Sequence, residues 1–265
     1  MTIQLLCGDC LELMKQIPSG SVDCVVTSPP YDNLREYGGN EFVFEPIPEL
    51  LFGLLKEGGV VVWIVGDATV NGGETGTSFR QAIYFMDAGF RLHDTMIYAK
   101  NGPSFPDTVR YQQVFEYMFI FSKGKPKTIN LLMDRVNRWA GSRTFGMPTQ
   151  READGTIKSR PGFLVKEIGI RWNIWEMKTG FGYSASDEMA YSHPAIFPEA
   201  LARDHILSWT NEGDVVLDPM MGSCTTGKMC VQTGRSFIGI EIDKGYFEIA
   251  KRRIEEAQLQ TRMAI

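Results

Sequence analysis

The 265-residue chain has little cysteine, little histidine and no long apolar run. Its five cysteines, Cys7, Cys10, Cys24, Cys224 and Cys230, are an odd number spread over the whole length. That suits free thiols in a reducing compartment and argues against a disulfide framework. The single CxxC, Cys7-Gly8-Asp9-Cys10, has no second Cys or His pair to complete a tetrahedral zinc site, so no metal is expected. No stretch approaches the roughly 20 apolar residues that span a bilayer, and the start, Met1-Thr2-Ile3-Gln4-Leu5, carries neither a basic leader nor a long apolar segment. A membrane partner is therefore not expected, and the cytoplasm is the expected location. There is no GxGxxG, no internal repeat and no low-complexity tract.

What is present suffices for a sizeable core, since 43% of residues are hydrophobic and 11% aromatic. The net charge of −5 argues weakly against a nucleic-acid partner, yet it is unevenly spread. Lys123 to Lys178 holds 12 Lys and Arg against 5 Asp and Glu, a net +7; the other residues hold 15 basic and 27 acidic, a net −12. A basic segment on an acidic body is the pattern expected when one part meets phosphates. A solvated basic loop is the plainer alternative.

Seven short apolar runs read as strands: Thr2 to Leu6, Val22 to Thr27, Val60 to Val65, Leu92 to Ala99, Phe115 to Phe121, Val215 to Leu217 and Phe237 to Ile240. Helical patterns fall at Pro46 to Lys56, Ser78 to Asp87, Pro198 to Trp209, Thr225 to Gln232 and Lys244 to Gln258. The alternation predicts an α/β fold with a mostly parallel sheet and helices on both faces. Leu92 to Ala99 and Phe115 to Phe121 have no helix-length segment between them, so these two are expected to pair antiparallel. From Lys123 to about Tyr191 the alternation stops, which predicts an irregular insert.

In Val215-Val216-Leu217-Asp218-Pro219-Met220-Met221-Gly222-Ser223-Cys224-Thr225, a buried strand runs into a tight turn and a helix start. Ligands of open α/β sheets bind beyond such strand ends. Gly222 lets the backbone approach a ligand, and Ser223 or Thr225 is expected to cap the helix, whose N-terminal amides attract a carboxylate. Nineteen residues on, Glu241 ends the next strand, where an acid accepts the hydroxyls of a ribose. A nicotinamide enzyme uses the same spacing, but with the GxGxxG this chain lacks.

A second buried strand, Val22 to Thr27, ends in Ser28-Pro29-Pro30-Tyr31. The prolines have no N–H, so the loop offers carbonyls and the Ser28 hydroxyl. Such a site accepts both N–H bonds of an aromatic amino group, which helps to localise the nitrogen lone pair for attack on an electrophile. Tyr31 offers a flat face for an extruded base. A Pro-Pro turn closing a strand is the structural alternative.

Together these motifs resemble the amino-methylating DNA methyltransferases, in the permuted group whose catalytic motif precedes the basic recognition region and whose cofactor motif follows it. Thr27-Ser28-Pro29-Pro30-Tyr31 matches the family's catalytic loop, and Asp218-Pro219-Met220-Met221-Gly222-Ser223-Cys224-Thr225-Thr226 its cofactor turn. His193-Pro194-Ala195-Ile196-Phe197-Pro198 is similar to the segment that holds the methionine part of the cofactor, and Gly8-Asp9-Cys10 to the element that contacts its adenine. Phe115 to Gly124 is similar to a late core strand.

The resemblance implies a seven-stranded Rossmann-like sheet, six strands parallel and the last core strand antiparallel. Residues 1–122 would be the catalytic half, 123–191 a basic target-recognition insert and 192–265 the cofactor-binding half. It implies S-adenosylmethionine as cofactor, double-stranded DNA as substrate, and Ser28, Pro29, Pro30 and Tyr31 at the reacting centre. It carries Asp9, Cys10, His193, Pro194, Phe197, Asp218, Pro219, Met220, Gly222, Ser223, Thr225 and Glu241 to the cofactor site.

Met220 stands where the family usually has an aromatic and Cys224 where it has a second glycine, which implies tuned affinity. Thr-Ser-Pro-Pro-Tyr is more typical of members that methylate cytosine N4. A Ser28 hydroxyl can also donate to the ring N3 of cytosine, where an ionised Asp cannot. N4-cytosine is the expected product, with N6-adenine the alternative. A homodimer and a cognate restriction endonuclease stay open as partners. An RNA or protein-amide methyltransferase of the same fold, with Asn-Pro-Pro-Tyr in its catalytic loop, and a non-catalytic DNA-binding protein are the remaining alternatives.

Overall fold

The computed structural model describes residues 1–30, 42–103, 108–144, 149–159, 162–193 and 196–263. It divides into two compact units, Met1–Asn130 with Asn173–Ile265, and Leu131–Trp172.

The first unit is built on an eight-stranded sheet. Its strands are β1 (Ile3–Cys7), β2 (Val22–Thr27), β3 (Leu55–Val65), β4 (Arg91–Lys100), β5 (Phe115–Ser122), β6 (Ile174–Met177), β7 (Val215–Asp218) and β8 (Ser236–Glu241). Their order across the sheet is β1-β8-β7-β2-β3-β5-β4-β6. Every neighbouring pair is parallel except those made by β5, which runs antiparallel to β3 and β4. All seven expected strands form, with the expected antiparallel partner. The eighth, β6, comes from the stretch that shows no periodicity; it is four residues long, with Trp175 buried and Ile174 exposed, too short for a pattern to stand out.

The helices are α1 (Cys10–Met14), α2 (Ile47–Leu54), α3 (Thr77–Asp87), α4 (Glu199–Trp209), α5 (Thr225–Thr233) and α6 (Lys244–Met263). Five of them are the expected ones; α1 is a single turn, started by Asp9, whose carboxylate accepts the Leu11 N–H at 2.8 Å. The helices contact one another in two groups, α1 with α2 and α2 with α3, then α4 with α5 and α5 with α6.

The central strands are apolar on both faces, as a sheet covered on both sides requires: Val25, Val26, Val61, Val62, Trp63 and Ile64 are all buried. Phe85 of α3 stacks on Phe121 of β5 at 4.5 Å between ring centroids, and the Trp63 N–H donates to Gln81 Oε1 of α3 at 2.8 Å. These contacts satisfy the buried indole and fix α3 on the sheet.

The second unit is a β-ribbon. Arg135–Val136 pairs antiparallel with Ile168–Gly169, Arg143 bridges to Leu164, and Thr149–Arg151 pairs with Ile157–Ser159. The expected irregular segment is mostly irregular: its pairings are only two or three residues long, and most of their side chains are exposed, which erases the alternation a strand normally shows. The Arg135 guanidinium lies over the Trp172 ring at 4.9 Å, and Arg138 over Trp139 at 5.4 Å.

Candidate active site

The ends of β1, β2, β3, β7 and β8 open onto one cavity of about 1040 Å³ within the first unit. Of the residues singled out in the sequence, Asp9, Cys10, Ser28, Pro29, Pro30, His193, Phe197, Pro219, Met220, Gly222, Ser223, Thr225 and Glu241 line it together. Tyr31 and Pro194 lie outside the described residues.

Glu241 sits where a strand end meets the turn, and backbone amides hold both of its oxygens: Gly222 N–H donates to Oε2 at 2.9 Å and Asp243 N–H to Oε1 at 2.8 Å. Burial raises its pKa above the ordinary glutamate value, against the pull of those amide bonds. The result is a fixed acceptor carboxylate on the cavity wall. Gly222 has φ +50°, and a Cβ there would lie 2.9 Å from His193 Nε2. The turn therefore needs glycine twice, for its backbone angle and for the close imidazole. The His193 ring in turn meets Tyr246 of α6 edge-on at 4.4 Å. Burial pushes the Cys10 thiol up to about 12, so it meets the cavity as a neutral group.

Two expectations about the turn need correction. The position that precedes α5 is Cys224, in the left-handed region at φ +65°, and no side chain caps the helix. The Ser223 and Thr225 hydroxyls instead face Arg253 of α6, whose Nη1 lies 3.3 and 3.4 Å from them and also bonds the Ser223 carbonyl. Asp218 does not reach the cavity: it lies beneath the floor at 1% exposure, where its Oδ1 accepts from the Thr27 hydroxyl at 2.7 Å and from the Met220 N–H at 3.1 Å. Burial raises its pKa to about 6, opposed by those hydrogen bonds.

Arg253 belongs to a buried ion cluster that sequence reasoning missed. Its guanidinium and the Lys228 ammonium both bind Asp187 and Glu199 at 2.7 to 3.1 Å. Asp187 starts the short 3-10 helix Glu188–Ser192 that leads to His193, so the cluster ties the segment bearing His193 to the turn after β7. No linear spacing joins positions 187, 199, 228 and 253.

Also missed is the far side of the cavity, over β3, β4 and β5. Gly66 and Asp67 follow β3, and Asp67 accepts from both the N–H and the hydroxyl of Ser78, at 2.8 and 2.6 Å, in place of a capping residue at Gly76. Lys100 pairs with Glu116 at 2.5 Å and Arg110 with Glu74 at 2.7 Å. A glycine and an acid after an apolar strand were the available signal. Among the described residues no cluster of His, Cys, Asp or Glu could hold a metal ion, and no helix is long and apolar enough to cross a membrane.

Residues 22–252 match the DNA methylase family that joins N6 and N4 enzymes, a span running from the strand before Ser28 to α6. The chain belongs to this family. It is an amino-methylating DNA methyltransferase dependent on S-adenosylmethionine.

Orphan methyltransferase M.BamHII of Bacillus amyloliquefaciens is 54% identical over 244 residues, 92% of each chain. DNA adenine methyltransferase YhdJ of Escherichia coli strain K12 is 28% identical over 94% of this chain and 82% of its own. Among solved structures, the cytosine-N4-specific PvuII DNA methyltransferase shares the fold at a TM-score of 0.69, with 21% identity over 98% of this chain and 93% of that one. This methylase thus has the architecture that the strand and helix pattern predicts.

Proposed function

We propose that this DNA methyltransferase acts on the exocyclic N4 of cytosine, with Ser28 at the reacting centre. The observation that supports the reading is that Ser28, Pro29 and Pro30 line the same cavity as Gly222, His193 and Glu241. The donor fits the residues present: Glu241 offers a fixed acceptor for ribose hydroxyls, the α5 N-terminus attracts a carboxylate, and Gly222 admits a close ligand. Asp9, Cys10, Phe197, Pro219, Met220, Ser223 and Thr225 would complete its contacts. When bound, S-adenosylmethionine supplies an electrophilic methyl group.

This chain's own part is to orient. The Ser28 hydroxyl and the carbonyls of a proline-rich loop accept the amino N–H bonds and localise the lone pair on nitrogen. Holding two reactants in line can supply about 7–11 kcal/mol without a covalent intermediate. A cavity at the upper end of the roughly 300–1,000 Å³ usual for ligand sites leaves room for an extruded base beside the donor.

The choice of cytosine rests on the hydroxyl at position 28. Serine can donate to the cytosine N3, whereas an ionised acid in its place could only accept. Double-stranded DNA would meet Leu131–Trp172, whose exposed Arg138, Arg143, Trp139 and Trp172 combine positive charge with flat apolar faces. Sequencing DNA from cells that express the protein, with modified bases detected by polymerase kinetics, tests the reading. A single motif carrying modified cytosine is the expected result; unmodified DNA, or modified adenine alone, refutes it.

A further inference from the structure

Between the cofactor turn and the catalytic loop the backbone ladder ends before either reaches the cavity. β2 and β7 pair in register at Cys24 with Val216 and Val25 with Leu217. On its other side β2 stays paired with β3 through Val26 with Val62 and Thr27 with Trp63. Ladder bonding therefore fixes the end of β2 against β3, but leaves it open against the turn after β7. Two side-chain bonds span the opening: the Thr27 hydroxyl donates to Asp218 Oδ1 at 2.7 Å, and the Thr226 hydroxyl donates to the Val26 carbonyl at 3.2 Å. Thr27 and Thr226 are fully buried, and neither they nor Asp218 lines the cavity. One oxygen of Asp218 thus joins the residue before Ser28 to the Met220 amide, two residues before Gly222.

We propose that Thr27 is a positioning residue for methyl transfer, its bond to Asp218 setting the place of Ser28 relative to the cofactor turn. The proposal rests on, and deepens, the assignment of this cavity to the donor and base. In-line transfer is sensitive to distance, and a misplacement of about 1 Å can cost roughly 100-fold in rate. A hydroxyl bonded to a carboxylate away from water is a strong, directional restraint. Thr27 is buried and does not line the cavity assigned to the donor, so its loss should move the rate of transfer and leave donor affinity nearly alone.

The bond also has a titration signature. The charged or titratable groups facing Asp218 are Glu241 from β8, whose charge raises its pKa, and the thiols of Cys224 and Cys230 at the start of and within α5, which burial keeps protonated. The Thr27 hydroxyl from β2 and, more weakly, the Met220 N–H and the Thr226 hydroxyl of α5 favour the ionised acceptor. Protonation of Asp218 below about pH 6 weakens this charge-assisted bond, so the wild-type rate should fall on the acid side, and removing the Thr27 hydroxyl should abolish that acid limb.

Thr27→Val keeps the shape and deletes the donor; Thr27→Ser keeps the donor. Single-turnover transfer of tritiated methyl from S-adenosylmethionine to unmodified phage DNA, donor affinity by calorimetry and melting temperature are measured for each. T27V should transfer at least tenfold more slowly, bind the donor within about threefold of wild type and lack the acid limb, and T27S should recover most of the rate and the limb. Wild-type transfer by T27V, a loss of donor affinity as large as the loss of rate, or a T27S as slow as T27V overturns the proposal. A wild-type protein that neither binds the donor nor labels DNA refutes the cavity assignment itself, a result distinct from those three.

Discussion

Replacing Gly222 by alanine puts the cofactor turn under a defined load. The residue sits at φ +50°, where an L side chain costs about 1–2 kcal/mol. Its new Cβ would stand 2.9 Å from His193 Nε2 and 3.1 Å from Cε1, closer than a methyl group tolerates. The imidazole is also packed edge-on against the Tyr246 ring, which restricts its retreat. The Gly222 N–H also donates to Glu241, so a shift of the turn loosens the carboxylate proposed to bind ribose. Backbone strain alone should lower the melting temperature by about 2–8 °C for a protein of this size. Displacement of His193 and Glu241 should weaken donor binding at least tenfold, about 1.4 kcal/mol. Calorimetric titration with S-adenosylmethionine and differential scanning fluorimetry read the two effects separately. A G222A protein that binds the donor within twofold of wild type would refute the placement of the donor against this turn, whatever its melting temperature.

Ser28→Ala should slow methyl transfer at least tenfold with donor affinity unchanged, and equal rates in the two proteins would remove Ser28 from the reaction. Arg138→Ala with Arg143→Ala should weaken DNA binding and flatten the dependence of log K on log salt by about one unit per lost phosphate contact; an unchanged slope would show that DNA lies elsewhere. Arg135 is a poorer choice, since its Nε bonds the Ile170 carbonyl at 2.9 Å and its loss would disturb the ribbon. The raised Asp218 pKa means the folded protein takes up this proton more readily than the unfolded chain. Its stabilising contribution is therefore complete below the ordinary aspartate pKa and lost as pH rises to about 6. Asp218→Asn retains an acceptor for Thr27 and removes that dependence, so its melting temperature relative to wild type should climb between about pH 4 and pH 6. A difference that stays flat with pH would contradict the burial of an ionisable acid there.

Much of this was legible in the sequence because the chemistry is local. The β7 strand, its glycine turn and the acid ending β8 are written within Val215 to Asp243, and Ser28 directly follows a buried strand. Periodicity sufficed for the long strands and for five helices. It failed at β6, where four residues carry too little pattern, and in the ribbon, where neither face is buried. What no spacing revealed was the partnering of distant residues: Arg253 with Asp187, and Asp218 with Thr27, 191 positions away. The resemblance of the turn assigns Asp218 to the cofactor site. In the structure it lies buried beneath the floor, where it accepts from the Thr27 hydroxyl across the strand gap.

The central claim is the transfer of a methyl group to the exocyclic N4 of cytosine in DNA. Unmodified DNA incubated with the protein and isotope-labelled S-adenosylmethionine, then digested to nucleosides and separated by mass spectrometry, tests it most directly. The account predicts labelled N4-methyldeoxycytidine as the new product; label in N6-methyldeoxyadenosine alone would contradict the role given to the Ser28 hydroxyl, and no labelled nucleoside would contradict the account as a whole.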